Sequence, residues 1–73
     1  MIWRMDAIRP TKREALRYLA GLRKIGRSDL WIAEKIGLRS ADTFRKWRDL
    51  PSVRPSRRPF ERLRALARAE GCA

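Results

Sequence analysis

Histidine is absent from this 73-residue chain, and cysteine occurs once, as Cys72. A zinc finger therefore has no ligand set. An intramolecular disulfide cannot form, which removes the stapled, secreted mini-protein as a class. No apolar run approaches the ~20 residues that cross a bilayer, and the opening MIWRMDAIRP is too polar to read as a signal peptide. Glycine-rich phosphate loops are missing, and no nucleophile stands beside a base, so an enzyme lacks its parts. Cys72 reads as part of a frayed end rather than as a catalytic thiol. No cofactor, metal, membrane or small-molecule ligand is expected.

Acidic residues are also scarce: 8 against 19 Lys and Arg, a net charge of +11. That excess expects a polyanion as partner, nucleic acid before an acidic membrane. Most of the cations are arginine, whose planar fork suits phosphates and guanine edges better than lysine does. Hydrophobic residues make up 44% of the chain, enough for one small core and too many for a disordered tail.

Four short helices account for the pattern. Thr11 and Glu14 have the spacing of a capping box behind Pro10. Ala15, Leu16, Leu19, Leu22 and Ile25 then recur at steps of three and four, so a helix is expected from Lys12 to Ile25, with Gly26 as its stop. Ser28 and Asp29 suit a second start, and Leu30, Ile32, Ala33 and Ile36 read as its stripe, ended by Gly37. Ser40 reads as the cap of a third helix over 41–49, with Phe44 and Trp47 as its buried side and Pro51 beyond its end. PSVRPSRRP, residues 51–59, reads as an extended, exposed connection. Pro59 fits the first turn of a last helix, with Ser56 or a neighbour as its cap; Phe60, Leu63, Leu66 and Ala67 give its stripe, which Gly71 closes. Residues 1–10 form an N-terminal arm or a short strand. The expectation is an all-α domain over 11–73, a compact bundle of about four helices.

The order of residues between Ile32 and Trp47 has a mechanical meaning. Ala33 allows two short helices to approach, Gly37 turns the chain sharply, Leu38 plugs the corner, and Phe44 and Trp47 anchor the second helix. Ile32-Ala33, Ile36-Gly37-Leu38, Ser40 and Phe44 with Trp47 resemble the helix-turn-helix of phage Cro and CI-type repressors and related bacterial regulators. The resemblance covers Ser28 to Asp49. It departs in the turn, where Gly37 to Phe44 is one residue longer than the commonest spacing.

The resemblance implies that the third helix lies in the major groove of double-stranded DNA. Ser40, Asp42, Thr43, Arg45 and Lys46 are then the candidate base contacts, with Asp49 on the same outward side. Arg45 can fork onto guanine, Thr43 can touch a thymine methyl, and Asp42 can accept from cytosine. Each has a plainer role as well: Ser40 as a cap, Asp42 as a dipole complement, Lys46 as a phosphate contact. Arg39 in the turn and Arg54, Arg57 and Arg58 in the connection are the candidate backbone contacts. Trp31 packs on the first helix or the arm, or leans on the DNA backbone. Arg62, Arg64 and Arg68 read as the wet face of the last helix.

The function expected from this resemblance is a sequence-specific, non-enzymatic transcriptional regulator, a repressor of phage or mobile-element type, in the cytoplasm of a bacterial or infected cell. A homodimer on an inverted repeat is expected, with Ile2, Trp3, Met5 and part of the Phe60 to Ala67 face as spare apolar surface. The competing reading is a small basic interaction protein that inhibits a host nucleic-acid machine or binds RNA.

Overall fold

Thr11 starts the first helix as expected: its hydroxyl accepts from the Glu14 amide at 3.2 Å. The reciprocal half of the capping box is not made, because the Glu14 carboxylate accepts from the Tyr18 hydroxyl instead, one turn along, at 3.2 Å. In the computed structural model, which describes residues 10–72, this helix is α1, Lys12–Lys24. It is followed by α2, Asp29–Lys35; α3, Asp42–Asp49; and α4, Arg57–Ala69. No strand occurs among the described residues, so the fold is an all-α bundle of four helices. The proposed N-terminal arm, apart from Pro10, lies outside the described residues, as do Ile2, Trp3 and Met5.

Each helix turns one narrow apolar face inward. α1 buries Ala15, Leu19 and Leu22; α2 buries Ile32 and Ala33, with Ile36 just past its end; α3 buries Phe44 and Trp47; α4 buries Phe60, Leu63 and Ala67. No polar or charged residue is buried among the described residues. The rings of Phe44 and Trp47 meet edge to face, 5.3 Å between centroids, a contact that adds about 0.5–1.5 kcal/mol to their burial. α1 is the central element, packed against α2, α3 and α4. Tyr18, midway along α1, meets Phe60 near the start of α4, and Gly21 approaches Cys72 just past the end of α4, so α4 packs against the second half of α1 along its whole length. Cys72 is thus half-buried against α1 rather than frayed.

Gly37 carries the sharpest turn. Its φ is +83°, a region that costs an L side chain about 1–3 kcal/mol. The Gly37 amide donates to the Glu34 carbonyl, and the Leu38 amide to the Ala33 carbonyl at 2.8 Å, which satisfies the end of α2. Leu38 packs against the core as expected. α1 and α4 stop by the same device at Gly26 and Gly71.

Several expectations need correction. Leu30 is 59% exposed: residues two apart on a helix do not share a face, so Leu30 cannot join Ile32 in the core. Ile25 is 49% exposed, because it is the C-cap of α1 and no element packs beyond it. The connection after α3 is not wholly exposed; Pro55 is buried and Val53 is half-buried against the core. Arg57 and Arg58 are not in that connection. They form the first turn of α4, because the helix starts after Ser56, and its first amides need no intrahelical partner, so Pro59 fits at the third position. The Phe60 to Ala67 face is not spare apolar surface; three of its residues are spent in the core.

Candidate nucleic-acid interface

Two tethers fix α2 relative to its neighbours. Arg23 at the end of α1 grips Asp29 at the start of α2 with both prongs of its fork, each at 2.7 Å. That hydrogen bond holds the Asp29 carboxyl below its ordinary range and raises the Arg23 guanidinium. At the other end, Arg62 of α4 reaches the last turn of α2 and donates to the Ile36 carbonyl at 3.3 Å. A guanidinium suits the negative end of a helix dipole. A Cβ on Gly37 would lie 2.6 Å from Arg62 Nη1. The backbone angle is what reserves this position for glycine, since the Arg62 guanidinium sits at the end of a flexible side chain and can swing aside. Arg62 is exposed on the last helix and is also a positioning residue. The fourfold helical spacing of Arg58 and Arg62 gave no hint of this, since the contact spans two helices.

α3 follows after six non-helical residues, 36–41. This is longer than the three or four of the commonest helix-turn-helix turn. Ser40 does not occupy the cap position itself; Ala41 does, and α3 begins one residue later than Ser40 would set it. The Ser40 hydroxyl still holds the start of α3, accepting from the Asp42 amide at 3.0 Å. That bond is a local turn of the serine kind, and it occupies the hydroxyl offered as a base contact.

The outward face of α3 is built from residues at helical steps of three and four: Asp42, Arg45, Lys46 and Asp49. Arg45 donates from Nε to Asp42 Oδ1 at 2.8 Å, and its Nη2 lies 2.6 Å from the same oxygen. Lys46 Nζ stands 3.7 Å from the other oxygen. The Arg45 hydrogen bond lowers the Asp42 carboxyl and raises the Arg45 guanidinium in return. Asp49 pairs with Arg48 at 3.4 Å. Arg45 is 61% exposed, and a solvent-exposed pair is only weakly held, so its fork can exchange Asp42 for another acceptor. Thr43 stands on the flank, half-buried rather than outward. The structure thus brings Asp42, Arg45 and Lys46 together, keeps Ser40 at the same end, and sets Thr43 aside.

The backbone candidates are scattered. Arg39 is exposed in the turn. Arg54 lines an open cleft of about 320 Å³ with Pro10, Thr11, Lys12 and Pro51. Lys12 Nζ donates to the Leu50 carbonyl at 2.7 Å, which joins the start of α1 to the end of α3 and places this cleft beside the third helix. Arg57 is tied to Glu61 at 3.6 Å, while Arg58 is exposed. The first turn of α4 contains two arginines and no acid, the opposite of what the positive end of a helix dipole favours.

Trp31 packs against the core and is half-exposed, with the Arg27 guanidinium 4.4 Å from its ring centroid and Lys35 Nζ at 5.4 Å. Arg27 also pairs with Glu70 beyond α4 at 2.8 Å. The cations on this ring mark Trp31 as part of the join between α1, α2 and α4. Among the described residues no group of His, Cys, Asp and Glu can hold a metal ion, and no helix is long and apolar enough to cross a membrane. No protein-family model, no curated protein and no solved structure matches this chain, so its own geometry carries the functional reading.

Proposed function

We propose that this chain is a sequence-specific, double-stranded DNA-binding regulator, a repressor of the phage type that its turn resembles, acting in the cytoplasm of a bacterial or infected cell. The observation that carries the reading is the pair α2 and α3. Gly37 and the Arg62 cap define its corner, and α3 is seated by Phe44 and Trp47 with a polar, exposed outer face. In this reading α3 enters the major groove and Arg45 leaves Asp42 to fork onto a guanine edge. Asp42 then accepts from a cytosine amine or stays with Lys46. Arg39 and Arg54 hold phosphate on either side of α3, and Arg58 adds charge at the positive end of α4.

A homodimer on an inverted repeat belongs to the same proposal, because eight helical residues read few base pairs. Its apolar contact, if drawn from described residues, comes from Ile25, Leu30 and Leu50, the large hydrophobic residues that remain exposed. The balanced charge of the α3 face also favours a second reading, the basic accessory protein that binds RNA or a nucleic-acid machine without base readout. Selection of bound sites from a random duplex library separates the two. A regulator enriches a defined motif and keeps it against excess non-specific duplex. Enrichment of no motif, or equal competition by any duplex, sinks the regulator.

A further inference from the structure

The excess charge of this protein is not where the proposed reading helix is. Arg13, Arg17 and Lys24 stand on the side of α1 opposite its buried Ala15, Leu19 and Leu22, and all three are exposed. Ala20 fills the remaining place in that row and leaves it unobstructed. None of these three cations is paired with a carboxylate among the described residues.

We propose that this outer face of α1 seats the phosphate backbone of a second duplex segment, so that one protomer bridges two pieces of DNA. The inference rests on the reading above for the first duplex. Phe44 and Trp47 fix α3 against the core side of α1, so a duplex held on α3 does not cover a row that points away from that core. The row on α1 spans about 16 Å at 1.5 Å per residue, along which a duplex presents a negative charge every ~1.7 Å. The face carries fixed positive charge and no hydrogen-bonding pattern of mixed sign. It suits a uniform polyanion held without regard to base sequence.

The test uses the full chain on beads carrying one duplex with the selected site, and measures capture of a second, labelled duplex of unrelated sequence. Wild-type protein captures the second duplex, with a log–log salt slope containing about −3 from the three α1 cations at −0.9 each. The triple variant R13Q/R17Q/K24Q loses capture by at least about tenfold while keeping its preference for the selected site. The charge-matched variant R39Q/K46Q/R54Q weakens attachment to the first duplex instead. Circular dichroism confirms that both variants are helical. Capture by the triple variant equal to wild type overturns the inference, and any bridging then comes from two α3 helices of a dimer. Site binding without capture by wild type overturns it alone; failure to bind any duplex removes the regulator and the bridge together. If the triple variant instead loses binding to phosphatidylserine vesicles, with no duplex capture by wild type, the face serves a membrane and the bridge is wrong.

Discussion

The outward face of α3 holds two carboxylates beside its cations, and the outer row of α1 holds three cations with no carboxylate in the row. The first arrangement exerts little long-range pull. Its value lies in orientation, since Asp42 holds the Arg45 fork in a defined place until a better acceptor arrives. The second exerts pull without orientation: its side chains end in solvent and nothing aims them. The pair divides recognition into a part that can discriminate and a part that can only attract. A chain of +11 need not spend its charge where it reads sequence.

The largest expected effect comes from removing the anchor of the first face. Phe44→Ala should cost about 3–5 kcal/mol of stability, enough to unfold a domain of this size, and both faces should fail together in thermal melts and in binding. Gly37→Ala is more selective. It places a side chain at φ +83° and against Arg62 and should cost about 1–3 kcal/mol. Where the fold survives, preference for the selected site should fall before the salt dependence does, because α3 is displaced and the row on α1 is not. A variant as stable as wild type would show that the corner tolerates a side chain.

Arg45→Ala should cost about 1–3 kcal/mol on the selected site and relax preference at one base position. Equal weakening on a scrambled duplex would place Arg45 among the phosphate contacts and erase the division between the faces. Asp42→Asn sharpens the same point, because it gives the α3 face one more net positive charge. If Asp42 serves only to hold Arg45, binding to all duplexes should rise by a few-fold and the salt slope should steepen by up to about one unit. If it accepts from cytosine, binding to the selected site should fall instead.

The smallest effect is expected at the Arg23–Asp29 tether, which belongs to neither face. Asp29 titrates below its ordinary value because Arg23 bonds its charged form. The tether therefore contributes fully above the unfolded-chain pKa, near ~3.9, and its contribution is lost as pH falls through the depressed folded value. Asp29→Asn should cost about 0.5 kcal/mol at pH 7, and the two proteins should have equal stability in strong acid. A difference that persists once the Asp29 carboxyl is protonated would mean that the asparagine disturbs the start of α2 for some other reason.

The helices and their ends were legible because their signals are local. Thr11, Ser28, Gly26, Gly37 and Gly71 each act within four residues, and backbone bonding at a helix end depends on little else. The two anchors of α3 were legible because no other apolar residue competes for its inner face. Leu30 was misjudged because a count of apolar residues says nothing about the angle between positions two apart. Arg57 and Arg58 read as part of the connection because prolines stand on both sides of them, although a helix that starts behind Ser56 takes both into its first turn with Pro59. Neither error concerns composition; both concern where a periodic element begins and which way its positions point.

The sequence alone determined the net charge, the four helical segments, the three glycine stops and most residues of the core stripes, Ile25 and Leu30 excepted, since short-range sterics and periodicity decide these. Tertiary structure decided which arginines are tied and which are free. Arg23, Arg27 and Arg62 look no different from Arg13, Arg17 and Arg68 along the chain, yet the first three join one segment to another and the last three end in solvent. A long charged side chain has several angstroms of reach in every direction. Only the packing of α1 against α2 and α4 settles which carboxylate or carbonyl falls within that reach, and so which face of the molecule is left with charge to use.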